Sequence, residues 1–510
     1  MEEKVTSDLV GQRDIRIQKL QQLLKLGINP YPSKSFRENR IGDILEDFEK
    51  YDGDEAVLAG RIVAWREHGK LIFADILEQS GSIQLMIKKD DLIEDLKKGY
   101  LGWDNLQLLD VGDFIEAYGV VGKTKTGQVS LMVKNLRLLT KSIRPIPREL
   151  ENKEQRYRRR YLDLVIHPES IKMFERKSKF WQVQREFLQK EGFMEVEVPV
   201  MEAVTGGADA KPFITHHNAL DQDFYLRIST ELYQKRLIGG GFEKIYTFGP
   251  NFRNEGMDDE HLQEFYDIEW YWAYADYKDN MKLVRNLFLE IAKKVYGKTD
   301  FETRGHKYDL ADEWEELDYS NLIKEHFGID IFNDSDEKIL KVIKEKNIEM
   351  GGDVNRNRMI DTLWKSIRAT ISGPAFLINQ PKFISPLAKS HEDNKELTQR
   401  FQVIIAGSEL GNGYSEINDP QDQLERFLEQ QKLREEGDDE AHMLDIDFVE
   451  MLEYGMPPVS GYGHSERVFW FMENVTAREG TFFPQMRVET EKSTREIYKG
   501  KVKFKDTKKK

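Results

Sequence analysis

Between about residues 55 and 143 the chain runs through five short β-rich segments, AVLAGRIVAW, LIFADILE, SIQLMI, DFIEAYGVV and QVSLMVKNLRLL. Gly60, Gly69, Gly81, Gly112, Gly122 and Gly127 punctuate them, and a long polar, helix-prone stretch near 89–99 interrupts the series. Five strands with one such interruption predict an OB-type barrel. Small barrels of this kind often bind single-stranded nucleic acid by stacking bases on aromatic side chains beside a basic groove. Arg66, Lys70, Phe73 and Gln84, on or beside the first three strands, are the candidates for that contact, although the same aromatics would also serve a small core.

The barrel accounts for only part of 510 residues, a length that favours about three or four folded units. With 76 Lys and Arg against 91 Asp and Glu, the formal charge is −15, so the chain has no general basic coat and a polyanion must meet local patches. The absence of cysteine excludes disulfide frameworks, thiolate zinc sites and cysteine nucleophiles together. The opening MEEKVTSDLVGQRDIR lacks the apolar core of a signal peptide, and no run of 18 apolar residues follows, which predicts a cytoplasmic protein without a membrane span.

An amphipathic helix with Ile17, Leu20, Leu23 and Leu24 on one face and Arg13, Arg16 and Lys19 between them belongs to an N-terminal arm, 1–50, ahead of the barrel domain, 51–145. A proline- and arginine-rich linker, 146–170, leads into a large unit, 171–488, whose stretch at about 300–370 reads as a helical insertion. The large unit mixes helices and strands without regular βαβ alternation and carries neither a Walker sequence nor GxGxxG, so the expected class is α+β. From Glu489 the last 22 residues hold 9 Lys or Arg against 4 acids and predict a mobile basic tail.

Three segments of the large unit place polar groups where buried strands prefer apolar ones. In HLQEFYDIEWYWAYADY, alternation puts Phe265, Asp267, Glu269 and Tyr271 on one face and Tyr266, Ile268, Trp270, Trp272 and Tyr274 on the other. Arg253 and Glu255 share a face of the preceding strand, and the connection GMDDEHLQ suits an antiparallel pairing; Arg beside Glu on paired strands also describes a structural salt bridge. In SELGNGYSEINDP, Asn412, Tyr414 and Glu416 recur at every second residue, and a strand face of amide, phenol and carboxylate needs partners if it is buried. The third segment, PPVSGYGHSER, reads as a glycine-containing turn feeding a helix that begins near Arg467.

Together these segments resemble the class II aminoacyl-tRNA synthetases, and within them the lysine-specific family. The resemblance extends over GINPYP, REHGK, KTKTG, RYRRRYLDL, GGADAKPFITHHNALD, ELYQKRL, FRNEG, AYADY and ELGNGYSEINDP. GFMEVEVPVM matches the first class motif through Pro199, an element that helps form the dimer interface in the family, and FRNEG with the strand after it matches the second. The resemblance implies a homodimer in which an OB barrel reads the anticodon through Arg66, Phe73 and Gln84. It implies an antiparallel sheet flanked by helices that uses ATP and Mg2+ to join L-lysine to tRNA(Lys) through a lysyl-adenylate.

Carried over by position, the resemblance gives catalytic roles to Arg253, Glu255 and Arg467: Arg253 on the α-phosphate and the substrate carboxylate, Glu255 by the adenine and ribose, Arg467 over one face of the adenine. Phe265 stacks on the other face, His261 lies in the loop that closes over the triphosphate, and Glu409 holds magnesium. Lysine would lie among Gly207, Glu231, Arg253, Tyr271, Asn412, Tyr414 and Glu416, with Tyr271 and Glu416 at the ε-ammonium. Two carboxylates suit a cation, whereas an aspartate pocket needs a positive group.

The chain departs from the family at three places. GYGHSER is one residue shorter and one glycine poorer than the usual GxGxGxxR; Gln402 stands where the family has the second metal-binding glutamate; and DDEHLQEF replaces a more basic loop. The competing readings are an aspartate or asparagine ligase, a ligase that lysylates protein, and a non-catalytic RNA-binding paralogue.

Overall fold

The structure is a computed structural model that describes residues 2–350, 355–437 and 441–504. It divides into two compact units, one of Met1–Arg156, Tyr161–Ile166 and Met486–Lys510, the other of Tyr157–Arg160 and His167–Gln485.

In the first unit a helix, Glu2–Lys25, precedes five strands: β1 (Glu55–His68), β2 (Leu71–Glu78), β3 (Gly81–Lys88), β4 (Phe114–Lys123) and β5 (Val129–Thr140). They close into a barrel in the order β1-β2-β3-β5-β4, with β3 and β5 parallel and the other pairs antiparallel. Alternation sends Ile72, Ala74 and Ile76 of β2 and Ile83, Leu85 and Ile87 of β3 into the core. By the same parity Arg66, Phe73 and Gln84 fall outside the barrel, with Arg66 directly across from Phe73. Between β3 and β4 the helix-prone stretch near 89–99 forms only one short helical turn, Leu96–Lys98, ended by Gly99 in left-handed backbone, and a second, Trp103–Leu108, lies beyond it. Within the segment expected to be a mobile basic tail, Lys492–Ile497 is a helix beside Glu2–Lys25, and 505–510 lie outside the described residues.

The second unit holds β6 (Met194–Glu195), β7 (Met201–Glu202), β8 (Ile214–His217), β9 (Gln222–Leu226), β10 (Lys244–Phe252), β11 (Glu264–Ala273), β12 (Asp300–Thr303), β13 (His306–Asp309), β14 (Glu315–Asp318), β15 (Ala375–Ile378), β16 (Arg400–Ile405), β17 (Ser408–Ser415) and β18 (Val459–Ser465). Eight of these form one sheet in the order β14-β15-β16-β17-β18-β11-β10-β6, antiparallel except at its two edge pairs. The helix Tyr277–Ile291 starts in a capping box at Asp276 and lies against β16, β17 and β18; it packs in turn on Glu169–Lys190. The helix Glu231–Gly239 packs on β10 and β11.

The stretch expected to be a helical insertion is bound into this sheet. It supplies the edge strand β14, the hairpin β12–β13 and the helices Tyr319–Phe327, Asp336–Glu345 and Arg356–Arg368. Ile339, Ile343, Met359, Ile360, Leu363 and Trp364 form one core with Ala375 and Leu377 of β15, so the charged surface of these helices conceals an apolar face. Among the described residues no helix is long and apolar enough to cross a membrane.

Candidate active site

The central strands β11, β18 and β17 set the floor of a cleft of ≈ 280 Å³. Register places Asn412, Gly463 and Glu269 in one row across the sheet and Tyr414, Gly461 and Tyr271 in the next. GYGHS is a strand and not the expected turn, because it pairs with β11 on one side and β17 on the other; its two glycines admit the neighbours' side chains. A Cβ at Gly461 would lie 2.4 Å from Glu416 Oε1, and one at Gly463 would lie 2.8 Å from Glu269 Cγ, so the bare backbone of β18 makes room for carboxylates from its neighbours. Gly207 plays a similar part at the wall: its φ is +89°, and a Cβ there would meet Ser229 Oγ at 2.7 Å.

Every residue that the sequence reading assigned to lysine or ATP lines this one cleft: Gly207, Glu231, Arg253, Glu255, His261, Phe265, Tyr271, Glu409, Asn412, Tyr414, Glu416 and Arg467. At one end the carboxylates are buried. Glu231 opens the helix Glu231–Gly239; its Oε1 pairs with Lys235 Nζ at 2.5 Å and its Oε2 accepts from Tyr414 Oη at 2.7 Å. Lys235, fully buried, also pairs with Glu416 Oε2. Glu416 Oε1 is buried and accepts no hydrogen bond. With both carboxylates ionised, Glu231, Glu416 and Lys235 carry one net negative charge, and the unbonded oxygen of Glu416 is its buried pole against Gly461.

Burial pushes the Glu416 carboxyl well above the usual carboxylate range; it also raises Asp267, with the neighbouring Glu269 adding to the effect. Burial alone would lower the Lys235 ammonium, but Glu231 and Glu416 on either side raise it. Glu269 is held by Ser229 Oγ at 3.0 Å and by the Thr230 N–H at 3.3 Å. Asn412 is oriented through its Oδ1, which accepts from Arg400 Nε at 2.8 Å, leaving the amide N–H groups to donate elsewhere. The site therefore suits a ligand that brings one ammonium to Glu416 and further polar groups to Asn412 and Glu269.

Arg253 follows directly on β10 and forms no ion pair with any carboxylate among the described residues, so the salt bridge across paired strands that the sequence left open is not formed. Its guanidinium lies 5.2 Å from the Phe265 ring centre and donates only a long bond, 3.5 Å, to the Ile228 carbonyl; Nε is buried without an acceptor. A cation held this loosely in protein contacts is ready for an anion. Glu255 is exposed, and His261 is bonded through Nδ1 to Asp258 at 2.9 Å.

Glu409, expected at a magnesium ion, is bonded to protein through both oxygens. Its Oε1 accepts from Trp364 Nε1 at 2.7 Å and Arg368 Nη1 at 2.8 Å, and its Oε2 accepts from Gln402 Nε2 at 3.1 Å. Burial would raise this carboxyl, but Arg368 and Trp364 hold it below the usual range. A magnesium ion shared by residues 402 and 409 does not fit such a pair: one member is an amide, and both oxygens of the other are bonded to protein donors. Among the described residues no group of three or more His, Asp or Glu forms a metal cluster.

Sequence reasoning missed Lys235, Arg368, Trp364 and Glu260. Lys235 carried a signal, because Glu231 and Lys235 stand four apart on a helix. Arg368 and Trp364 carried none, being brought to Glu409 by tertiary packing from more than 40 residues away. Arg66, Phe73 and Gln84 lie together on the barrel: Arg66 pairs with Asp75 at 2.9 Å, His68 meets Phe73 edge-on at 6.3 Å, and Gln84 Oε1 accepts from Ser130 at 3.0 Å.

Residues 152–487 match the family described as tRNA synthetases class II (D, K and N), and residues 56–139 match the OB-fold nucleic acid binding domain. A lysine–tRNA ligase of Thermotoga maritima is 42% identical over 487 residues, covering 92% of this chain and 95% of that protein. One from Fervidobacterium nodosum is 43% identical over 488 residues, covering 94% of each, and one from Christiangramia forsetii is 40% identical over 511 residues, covering 96% of this chain and 90% of its own length.

Proposed function

This chain belongs to the class II tRNA synthetases of the D, K and N group, and on that premise we propose that it joins L-lysine to tRNA(Lys) at the expense of ATP. The observation that carries the choice of amino acid is the buried, unbonded Oε1 of Glu416, which offers an ammonium the acceptor that an acidic side chain cannot use. An aspartate or asparagine ligase would need a cation there, and the buried cation beside it, Lys235, is already held by two carboxylates.

In the first step a lysine carboxylate oxygen attacks the α-phosphorus of ATP; the new O–P bond forms as the α–β bridging P–O bond breaks and pyrophosphate departs. In the second a hydroxyl of the terminal tRNA ribose attacks the adenylate carbonyl, gives up its proton, and AMP leaves. Arg253 neutralises charge on the α-phosphate and orients the lysine carboxylate; Phe265 and Arg467 border the base. Tyr271 and Glu416 hold the ε-ammonium, and Gly207, Glu231, Asn412 and Tyr414 shape the rest of the lysine site. No covalent enzyme nucleophile is required, since positioning and charge stabilisation supply the acceleration. ATP enters as its magnesium salt, and no step is assigned to a metal held by Glu409.

The OB barrel would read the anticodon by stacking on Phe73 and hydrogen bonding to Gln84, with Arg66 near phosphate, in a cytoplasmic homodimer whose interface includes the segment around Pro199. Charging of tRNA(Lys) and tRNA-free pyrophosphate exchange, measured side by side, test both halves. Arg253→Met should slow both by roughly 10²- to 10³-fold, the usual loss for one transition-state donor. Phe73→Ala should weaken charging alone; equal losses in both assays would remove the anticodon role, and an Arg253→Met enzyme within about tenfold of wild type would remove Arg253 from the mechanism.

A further inference from the structure

Glu260 lies in the loop between β10 and β11 and meets donors from three other parts of the fold. One oxygen pairs with Arg304, at the two-residue turn of the β12–β13 hairpin. The other pairs with Arg467, at the start of the helix Arg467–Glu473, and accepts from Ser408 Oγ at 2.8 Å. Ser408 in turn accepts from Arg467 Nη2 at 2.7 Å.

The donors stand on a hairpin turn, a strand and a helix start, whereas the carboxylate stands in a loop, tied at its neighbour Asp259 by the Ala477 N–H at 2.8 Å. Arg304 and Gly305 both have positive φ, 53° and 84°, as a tight hairpin turn demands, and the Arg304 N–H donates to Asn474 Oδ1 at 3.2 Å. Both guanidinium groups lie over one ring, Phe471, at 4.5 Å and 5.9 Å. Glu260, by contrast, follows six consecutive exposed residues, 254–259. Two guanidinium groups against one carboxylate leave a positive charge at the wall of a cleft that Arg467 and Glu260 both line.

We propose that Arg304, Arg467 and Ser408 form a cradle for the outer phosphates of ATP and for pyrophosphate, and that Glu260 is its resident anion, displaced when the polyphosphate binds. The proposal rests on the adenylate-forming reading for the identity of the ligand. A terminal phosphate carries more charge and more acceptor oxygens than one carboxylate, so it makes more charge-assisted bonds to the same donors. The leaving loop then places Glu260 in water instead of in an uncompensated site. Glu409 cannot take over the pairing, because its own oxygens are bonded to Trp364, Arg368 and Gln402. Arg304 thus becomes a substrate-binding residue, although it lies outside the motifs that carry the family resemblance.

The alternative is that Glu260 only anchors its loop, and the two roles differ in the sign of one substitution. Binding of inorganic tripolyphosphate by calorimetry, and the KM values for ATP and lysine in exchange, are measured for wild type, Glu260→Gln, Arg304→Met and the double variant. Arg304→Met should weaken tripolyphosphate binding and raise the KM for ATP by roughly tenfold, with the KM for lysine within about twofold of wild type. Glu260→Gln, an isosteric change that keeps the loop's shape, should do the opposite and tighten tripolyphosphate binding by about threefold or more. If Glu260→Gln weakens binding as much as Arg304→Met does and the double variant is no worse than either, Glu260 is an anchor and the proposal fails. Absence of lysine-dependent exchange in wild type would defeat the adenylate reading, while the calorimetric comparison would still decide the cradle.

Discussion

At the amino-acid end of the cleft Glu231 and Glu416 share one internal cation, Lys235, and one oxygen of Glu416 is left without a hydrogen bond. At the phosphate end each carboxylate is met by arginine: Glu409 by Arg368, Glu260 by Arg304 and Arg467. The first arrangement accepts a cation by addition, because a negative pole is already unbonded. The second accepts an anion by exchange, because its cations are already engaged. Substrate selectivity and nucleotide affinity are therefore set by different physics in one site, and substitutions at the two ends should separate them.

The largest effect belongs to Lys235. Removing one partner of a buried ion pair leaves an uncompensated charge and costs about 3–5 kcal/mol. Lys235→Met should lower the thermal unfolding midpoint of the catalytic unit markedly as well as disturb lysine binding. An unchanged midpoint would mean that Glu231 and Glu416 are not both charged in the folded protein, and the count of one net negative charge would be wrong.

Glu416→Gln comes next. A hydrogen bond to a charged group is worth about 1.5–3 kcal/mol, so the KM for lysine should rise by roughly 10- to 150-fold while the KM for ATP stays near its wild-type value. A parallel rise in both constants would show that the two ends are not separable.

The smallest effect is expected at Gln402. Because Trp364 and Arg368 bond Glu409 regardless of residue 402, Gln402→Glu should shift the magnesium concentration for half-maximal exchange by less than about twofold. A large fall would show that a second carboxylate draws Glu409 away from Arg368 and rebuilds a shared metal site, breaking the description of the phosphate end.

The amino-acid end was the more legible in sequence, for a reason that lies in strand periodicity. Asp267, Glu269 and Tyr271, and likewise Asn412, Tyr414 and Glu416, announce a polar face by alternation alone, and the sheet register brings the two faces to β18. The same logic failed for GYGHS, where glycine was read as turn punctuation; its use is to leave space under Glu269 and Glu416, which requires knowing the neighbours. At the phosphate end two partners of Glu409 come from Arg356–Arg368 and one of those of Glu260 from the β12–β13 turn, in a segment whose charged surface read as an insertion. The barrel was legible strand by strand because each core position alternates with a solvent-facing one, whereas the stretch at 89–99 shows that polarity alone does not make a helix.

The central claim is that the buried charge count around Glu416 selects an ammonium-bearing side chain, and amino-acid-dependent exchange of labelled pyrophosphate into ATP, run with each of the twenty amino acids, tests it most directly. Lysine alone should support rapid exchange. Exchange with aspartate or asparagine in place of lysine, or with none of the twenty, would contradict the account.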